Sequence, residues 1–271
     1  MIEDIIRRAR ESSSLKIPTT SPKSPAVEQL LRVSLDSPPL SENAQTTFHL
    51  LLAKFNFVAG RGRQDLTLAL SRPLKRVVSP TEEDEKKLAR FVGYAISASD
   101  LTLRLGCHLT PKVTTFIDAS FATHSNMKSH SEVCISLGTG AYCSKSTAQK
   151  LNTTSSCGAE LAAISKGLQQ SLWSSYFIQN QGYLSPITVL QDNQSTIKLV
   201  ENSRPTMELS RHIRIGYFRL HDLILKNVIK LVQYPTEFMI VDIMTKPLQG
   251  SLFRTMRDRI MGAVQCPMTV E

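Results

Sequence analysis

At Val113 the hydrophobic period of this chain changes from helical to extended, and the succession of segments that follows admits few folds. Val113–Asp118 is a run rich in β-branched residues, Glu132–Gly138 is a second, and Ala141–Lys145 is a third only a few residues further on. Strands so closely spaced pair as an antiparallel meander. A helix is expected over 158–179, with Leu161, Ile164, Leu168, Leu172 and Tyr176 on one face and Trp173 in the core beside them. Ile187–Gln191 reads as a fourth strand, leading into Asp192-Asn-Gln-Ser, a sequence that caps a short helix. Met207–Leu225 reads as helix, Val228–Tyr234 as a fifth strand, and Phe238–Lys246 as a helix stopped by Pro247. The order β-β-β-α-β-α-α-β-α predicts an α/β fold, a mixed five-stranded sheet flanked by helices.

Upstream the pattern differs. Residues 1–11 place Ile2, Ile5, Ile6 and Ala9 at helical spacing. Residues 12–46 hold Ser12-Ser-Ser with Pro18, Pro22, Pro25, Pro38 and Pro39; proline fixes φ and removes backbone donors, so the stretch reads as an extended, disordered linker. Phe48, Leu51, Leu52 and Phe55 restart helical spacing, and Ser79-Pro-Thr-Glu-Glu opens a helix running to about Ala98. Residues 47–110 are thus read as a small helical module, 111–262 as the α/β domain and 263–271 as a tail.

Composition narrows the partners. With 41% apolar and 20% charged residues, wholesale disorder is excluded. No apolar run approaches the roughly 18 residues of a membrane span, and Phe48–Gly60 is broken by Lys54 and Asn56. The first residues carry acids ahead of a basic pair and no apolar stretch, unlike a signal peptide. Cys107, Cys134, Cys143, Cys157 and Cys266 lack CxxC pairing, which argues against a zinc ribbon or disulfide scaffold and for an intracellular compartment, cytoplasmic or nuclear. The net charge of +9 points toward a polyanionic partner.

Four acids occupy chemically suggestive places. Asp118 ends the first strand, Glu160 lies in the first turn of the long helix, Asp192 ends the fourth strand, and Asp242 sits on the last helix. Taken singly, each reads as a turn, a cap or a solvated charge. Taken together on this strand order, they converge at one edge of a sheet, where hard divalent cations need several carboxylate oxygens. Two such ions activate water and stabilise the leaving oxygen in phosphodiester hydrolysis.

The residues around these acids carry a family resemblance. Phe116-Ile-Asp-Ala-Ser-Phe, Ser155-Ser-Cys-Gly-Ala-Glu-Leu, Leu190-Gln-Asp-Asn-Gln-Ser, Arg211-His-Ile-Arg-Ile-Gly-Tyr-Phe and Val241-Asp-Ile-Met-Thr-Lys-Pro-Leu resemble the ribonuclease H domain of copia-type LTR retrotransposon Pol polyproteins. Gly60-Arg-Gly-Arg-Gln-Asp-Leu and Ser79-Pro-Thr-Glu-Glu-Asp are similar to the connection between reverse transcriptase and ribonuclease H in such polyproteins, and Met1–Arg10 is similar to the end of the transcriptase part. The resemblance implies a ribonuclease H-like fold after a connection-like module. It implies an endonuclease that hydrolyses the RNA strand of an RNA·DNA hybrid with two Mg²⁺ (or Mn²⁺) ions. Asp118, Glu160, Asp192 and Asp242 would be its catalytic and metal-binding acids, and a separate reverse transcriptase part of the polyprotein a further partner. No Tyr-x-Asp-Asp motif occurs, so the chain is read as the C-terminal piece of a polyprotein without its polymerase palm, and no DNA synthesis is expected.

The chain also departs from the family pattern. Where relatives read Ser-Ser-Thr-Glu-Ala-Glu, it has Cys157 and Gly158 ahead of Glu160. Cysteine caps poorly and glycine costs about 1 kcal/mol in a helix, so Ser156 is expected to take over as cap on a looser helix start. Only Pro235-Thr-Glu-Phe-Met-Ile-Val separates the fifth strand from Asp242, without the histidine-bearing loop of cellular and retroviral enzymes, which leaves Glu237 nearest that role. For the substrate, Asn193, Gln194 and Ser195 start a helix whose free N–H groups suit phosphate and 2′-OH contacts. Lys145, Arg211 and Lys246 are candidate phosphate partners, and His212 is a structural group or a phosphate contact; a solvated charge is the plain alternative for each Lys and Arg. The rival function is a catalytically silent transposon remnant that binds nucleic acid or acts structurally. Another nuclease or an integrase is disfavoured by the short last loop and the Thr245-Lys-Pro-Leu ending.

Overall fold

The structure, a computed structural model, describes residues 2–265 apart from 13, 28, 29, 31–35, 108, 125 and 202–210; side chains of 211–213 also lie outside the description. Four helices come first: α1 (Ile2–Glu11), α2 (Glu42–Gly62), α3 (Thr67–Lys75) and α4 (Glu82–Ser97). Then follow β1 (Gly106–Cys107), β2 (Val113–Ser120), β3 (His130–Ser136), β4 (Gly138–Thr139), β5 (Cys143–Ala148), α5 (Ser156–Gln179), β6 (Ile187–Gln191), α6 (Gln194–Glu201), α7 (Arg211–Leu225), β7 (Ile229–Gln233), α8 (Asp242–Thr245) and α9 (Gly250–Ile260). Thr81 starts α4 through a reciprocal capping box with Asp84, which leaves acids in the first turn where the helix dipole favours them.

The main sheet has the order β5-β3-β2-β6-β7. β2 pairs antiparallel with β3, and β3 with β5. β2 pairs parallel with β6, and β6 with β7. This is the mixed five-stranded sheet flanked by helices that the segment order predicts. β1 and β4 form a separate two-stranded ribbon.

Both faces of the sheet are covered, and this decides what its side chains meet. On one face Ile117, Val133, Ile135 and Val189 pack with Leu161, Ile164 and Leu168 of α5 and Tyr217 and Leu220 of α7. On the other, Phe116, Cys134 and Leu190 join a larger core built from α1 to α4, α8 and α9, including Phe48, Phe55, Phe91 and Phe253. Each large apolar side chain buried here stabilises by about 1.5–3 kcal/mol. In the stretch read as a Ser/Pro-rich linker, Leu15, Ala26, Leu30 and Leu40 are buried in this second core. A buried pair ties the turn after α2 to α4: Arg63 donates twice to Asp65 (2.8 and 2.9 Å), and the Tyr94 hydroxyl donates to Asp65 at 2.9 Å.

Two sequence expectations need correction. Trp173 is 61% exposed and stacks on Phe177, and Tyr176 is also exposed, because the buried face of α5 runs through Leu168, Ser171, Leu172, Ser175 and Ile178 and both aromatic residues lie off it. The helix expected over 238–246 is a single turn at Thr236–Phe238 followed by α8; the extended backbone of Met239 lets Met239, Ile240 and Val241 dip into the core between them. The helix read from Met207 is seen from Arg211, its earlier residues lying outside the described ones. No helix among the described residues is long and apolar enough to cross a membrane.

Candidate metal and nucleic-acid site

The site lies where the two central parallel strands end. Asp118 sits near the end of β2, and Asp192 follows the last residue of β6. Glu160 is brought to them by the first turn of α5. Its cap is Ser155, whose side chain accepts from the Gly158 N–H at 3.1 Å, one residue earlier than the Ser156 cap read from sequence. Gly158 thus lends its amide to the cap, and Cys157 Sγ accepts from Thr196 Oγ1 at 3.5 Å, so the departures from the usual motif are absorbed locally.

One ligand atom from each of Asp118, Glu160 and Asp192 lies within 4.8 Å of the others. Asp242, at the head of α8, lies near enough to Asp118 for each carboxyl group to influence the other's ionisation. Its Oδ2 accepts from Lys246 Nζ at 2.8 Å, while its Oδ1 is buried without a donor. All four predicted acids are therefore brought together.

Two residues that sequence reading passed over hold this arrangement. Gln191 is fully buried: its Nε2 donates to Glu160 Oε2 at 3.1 Å, and its Oε1 accepts from the N–H groups of Asp192 (2.8 Å) and Asn193 (3.0 Å). Thr236 Oγ1 donates to Asp192 Oδ2 at 3.0 Å, tying the loop after β7 to the end of β6. A buried amide ending an otherwise apolar strand was the available signal for Gln191.

Crowded carboxylates in a poorly hydrated place resist ionisation. Burial, then the nearby Asp242, pushes Asp118 up to about 6 despite Lys246. Burial, then Asp118, pushes Glu160 up to about 9 against the opposing Gln191 hydrogen bond. Asp242 is raised by burial, with Lys246 opposing. For Lys246, burial works against the charge, but the hydrogen bond to Asp242 and the neighbouring carboxylates outweigh it and raise the ammonium. A fifth acid, Glu132 on β3, was not singled out from sequence. It pairs in register with Asp118 and is raised well above the usual range by burial and by Asp118, Glu160 and Asp242.

The predicted substrate contacts fall in three groups. Gln194 and Ser195 are exposed at the start of α6, and Asn193 caps that helix by accepting from the Thr196 N–H at 3.1 Å. Lys246 is at the acid cluster, whereas Lys145 is exposed on β5, the edge strand, with its ammonium 3.4 Å from Gln170 Oε1. The side chains of Arg211 and His212 lie outside the described residues.

Such a site, buried hard-oxygen donors gathered at the end of the mixed sheet, defines a candidate divalent-cation centre. Part of the chain is similar to Ty1 retrotransposon polyproteins. It is 30% identical over 152 residues to the Ty1-JR2 and Ty1-MR1 Gag-Pol polyproteins of Saccharomyces cerevisiae, a match covering 55% of this chain and 9% of each polyprotein. The similarity bears out the resemblance to a retrotransposon polyprotein; the match spans less than a tenth of those relatives' length. No family model matches. Among solved structures, the N-terminal ribonuclease H domain of a Mycobacterium tuberculosis protein is similar at 12% identity and TM-score 0.36, over 50% of this chain and 91% of that one. The foamy viral protease–reverse transcriptase in complex with double-stranded DNA is similar at 12% identity and TM-score 0.40, over 77% of this chain and 34% of that one.

Proposed function

We propose that this protein is a divalent-metal-dependent ribonuclease H that hydrolyses the RNA strand of an RNA·DNA hybrid. The observation that carries the reading is the approach of Asp118, Glu160 and Asp192 to within 4.8 Å, with Asp242 beside them, in a chain part of which is similar to retrotransposon Gag-Pol polyproteins. The donor set fits the ion. Carboxylate oxygens suit Mg²⁺ or Mn²⁺ and not soft metals, and the buried, donorless Oδ1 of Asp242 is an acceptor in want of a cation. Asp118, Glu160, Asp192 and Asp242 would hold two ions, which supply an activated water and charge stabilisation at the leaving oxygen.

The chain's own groups do the positioning. Gln191 and Thr236 set the Glu160 and Asp192 carboxylates, so their oxygens are oriented before any ligand arrives. Lys246 offsets part of the repulsion at Asp242 and Asp118. Gln194, Ser195 and the start of α6 offer donors to phosphate and 2′-OH groups, with Lys145, Lys246, Arg211 and His212 as proposed phosphate contacts. A separate reverse transcriptase part of the polyprotein is the proposed partner that grips the hybrid.

The test uses labelled RNA·DNA hybrid, duplex RNA and duplex DNA, each with Mg²⁺, Mn²⁺ or EDTA. Metal-dependent cleavage confined to the RNA of the hybrid is the expected result. Hybrid binding without cleavage in either metal overturns the enzyme and leaves a silent nucleic-acid-binding remnant.

A further inference from the structure

The four acids named so far leave one buried carboxylate unaccounted for. Glu132 lies on β3 directly opposite Asp118 in the antiparallel ladder, so the two side chains share one face of the sheet with Cβ atoms about 5 Å apart. Its side chain has no exposure to solvent, and neither Oε1 nor Oε2 has a hydrogen-bond partner. The nearest candidate, His130 Nε2, stands 3.5 Å from Oε1, beyond a good charge-assisted bond, and donates or accepts instead with Ser146 Oγ at 2.8 Å and, through Nδ1, with His124 Nε2 at 2.8 Å. Burying a carboxyl whose oxygens lack hydrogen-bond donors is unfavourable, and among the described residues the His130 ring at 3.5 Å offsets this only in part.

The neighbours say what would. Glu132 interacts electrostatically with Asp118, Glu160 and Asp242, and it lines a small cavity with Thr245 and Met244 of α8, the element that carries Asp242. Asp118 thus has acidic neighbours in Asp242, Asp192, Glu160 and Glu132. Five carboxylates and the Lys246 ammonium carry a formal charge of −4 when ionised, which two divalent ions balance.

Resting on the metal-dependent reading above, we propose that Glu132 is a fifth carboxylate of the cation centre, acting beside Asp118, its partner across the ladder. The ligand class is a hard divalent cation, Mg²⁺ or Mn²⁺. On this view the unmatched oxygens of Glu132 are half of a coordination shell, satisfied only in the loaded protein.

Mn²⁺ binding to the full chain, followed by isothermal calorimetry and by the Mn²⁺-induced rise in Tm, tests this without reference to activity. The variants are Glu132→Gln, which keeps shape, and Glu132→Ala, which removes all polar atoms. Loss of one ligand or its supporting contact costs about 10–100-fold in metal affinity, so both variants should bind Mn²⁺ at least about tenfold more weakly. Glu132→Gln should also be at least as stable as the natural protein in EDTA, since it keeps the shape of a buried carboxyl whose oxygens have no donors. Equal Mn²⁺ affinity in all three proteins overturns the proposal and leaves the four-acid site standing. Loss of metal-free stability in Glu132→Gln also overturns it, because Glu132 then has partners within the fold. No Mn²⁺ binding by the natural protein overturns the cation centre altogether.

Discussion

Lys246 Nζ lies 2.8 Å from Asp242 Oδ2, so the acid at the head of α8 is held by an ammonium four residues along the same segment. The lysine is half-exposed while the aspartate is nearly buried, which places a tethered cation at the rim of a site built for untethered ones. In Lys246→Met, Asp118 and Asp242 lose a compensating charge. Metal-free stability at pH 8 should fall by about 1 kcal/mol, the scale of a partly exposed pair, and the Mn²⁺-induced rise in Tm should become larger than in the natural protein. Thermal melts with EDTA and with Mn²⁺ measure both; a smaller Mn²⁺ increment would mean that Lys246 aids cation binding.

Stability of the metal-free protein should depend on pH in the sense opposite to ordinary surface carboxylates. Asp118 is raised from 3.8 to about 6 and Glu160 from 4.5 to about 9, so folding favours their protonated forms. Their contribution is fully present below about pH 4 and is lost as pH rises through about 6 and then about 9. Melts of the natural protein and Glu160→Gln in EDTA between pH 5 and 10 should diverge, the variant becoming the more stable at high pH. Parallel curves would show that Glu160 titrates normally.

Helix α5 carries Glu160 to the site, and its distance from the sheet is set at Gly167. A Cβ there would come within 2.8 Å of Val133 Cγ2 and 2.9 Å of Ile117 Cδ1. Overpacking of this kind costs about 1–3 kcal/mol, against about 1 kcal/mol gained in helix propensity. Gly167→Ala should therefore lose about 1 kcal/mol in urea unfolding at unchanged m. A gain in stability would show that the two side chains move aside freely.

The strand order and the four principal acids were legible because each rested on a local pattern: β-branched runs, closely spaced turns, and acids at strand ends or in a first turn. Glu132 was not, since a lone acid in a strand reads as a residue facing water. Only the packing of α8 and the N-terminal helices on the far side of the sheet buries all of β3. Trp173 failed for the converse reason. It directly follows Leu172 and so points about 100° away from the buried face of α5, which continues through Ser175 and Ile178 and leaves Trp173 exposed. Gln191 and Thr236 act through contacts between residues 31 and 44 positions apart, which no local pattern announces.

The claim that the gathered acids form a catalytic cation centre is tested most directly by comparing the natural protein with Asp192→Asn on an RNA·DNA hybrid in Mn²⁺. Asparagine can still accept the Thr236 hydrogen bond through its carbonyl oxygen, so the loop after β7 keeps its anchor while the charge is lost. Removing several kcal/mol of charge stabilisation should lower the cleavage rate by roughly 10²–10³-fold with the fold intact by circular dichroism. Cleavage by the variant at the natural rate, or cleavage by the natural protein that persists in EDTA, would contradict a metal centre at Asp118, Glu160, Asp192 and Asp242.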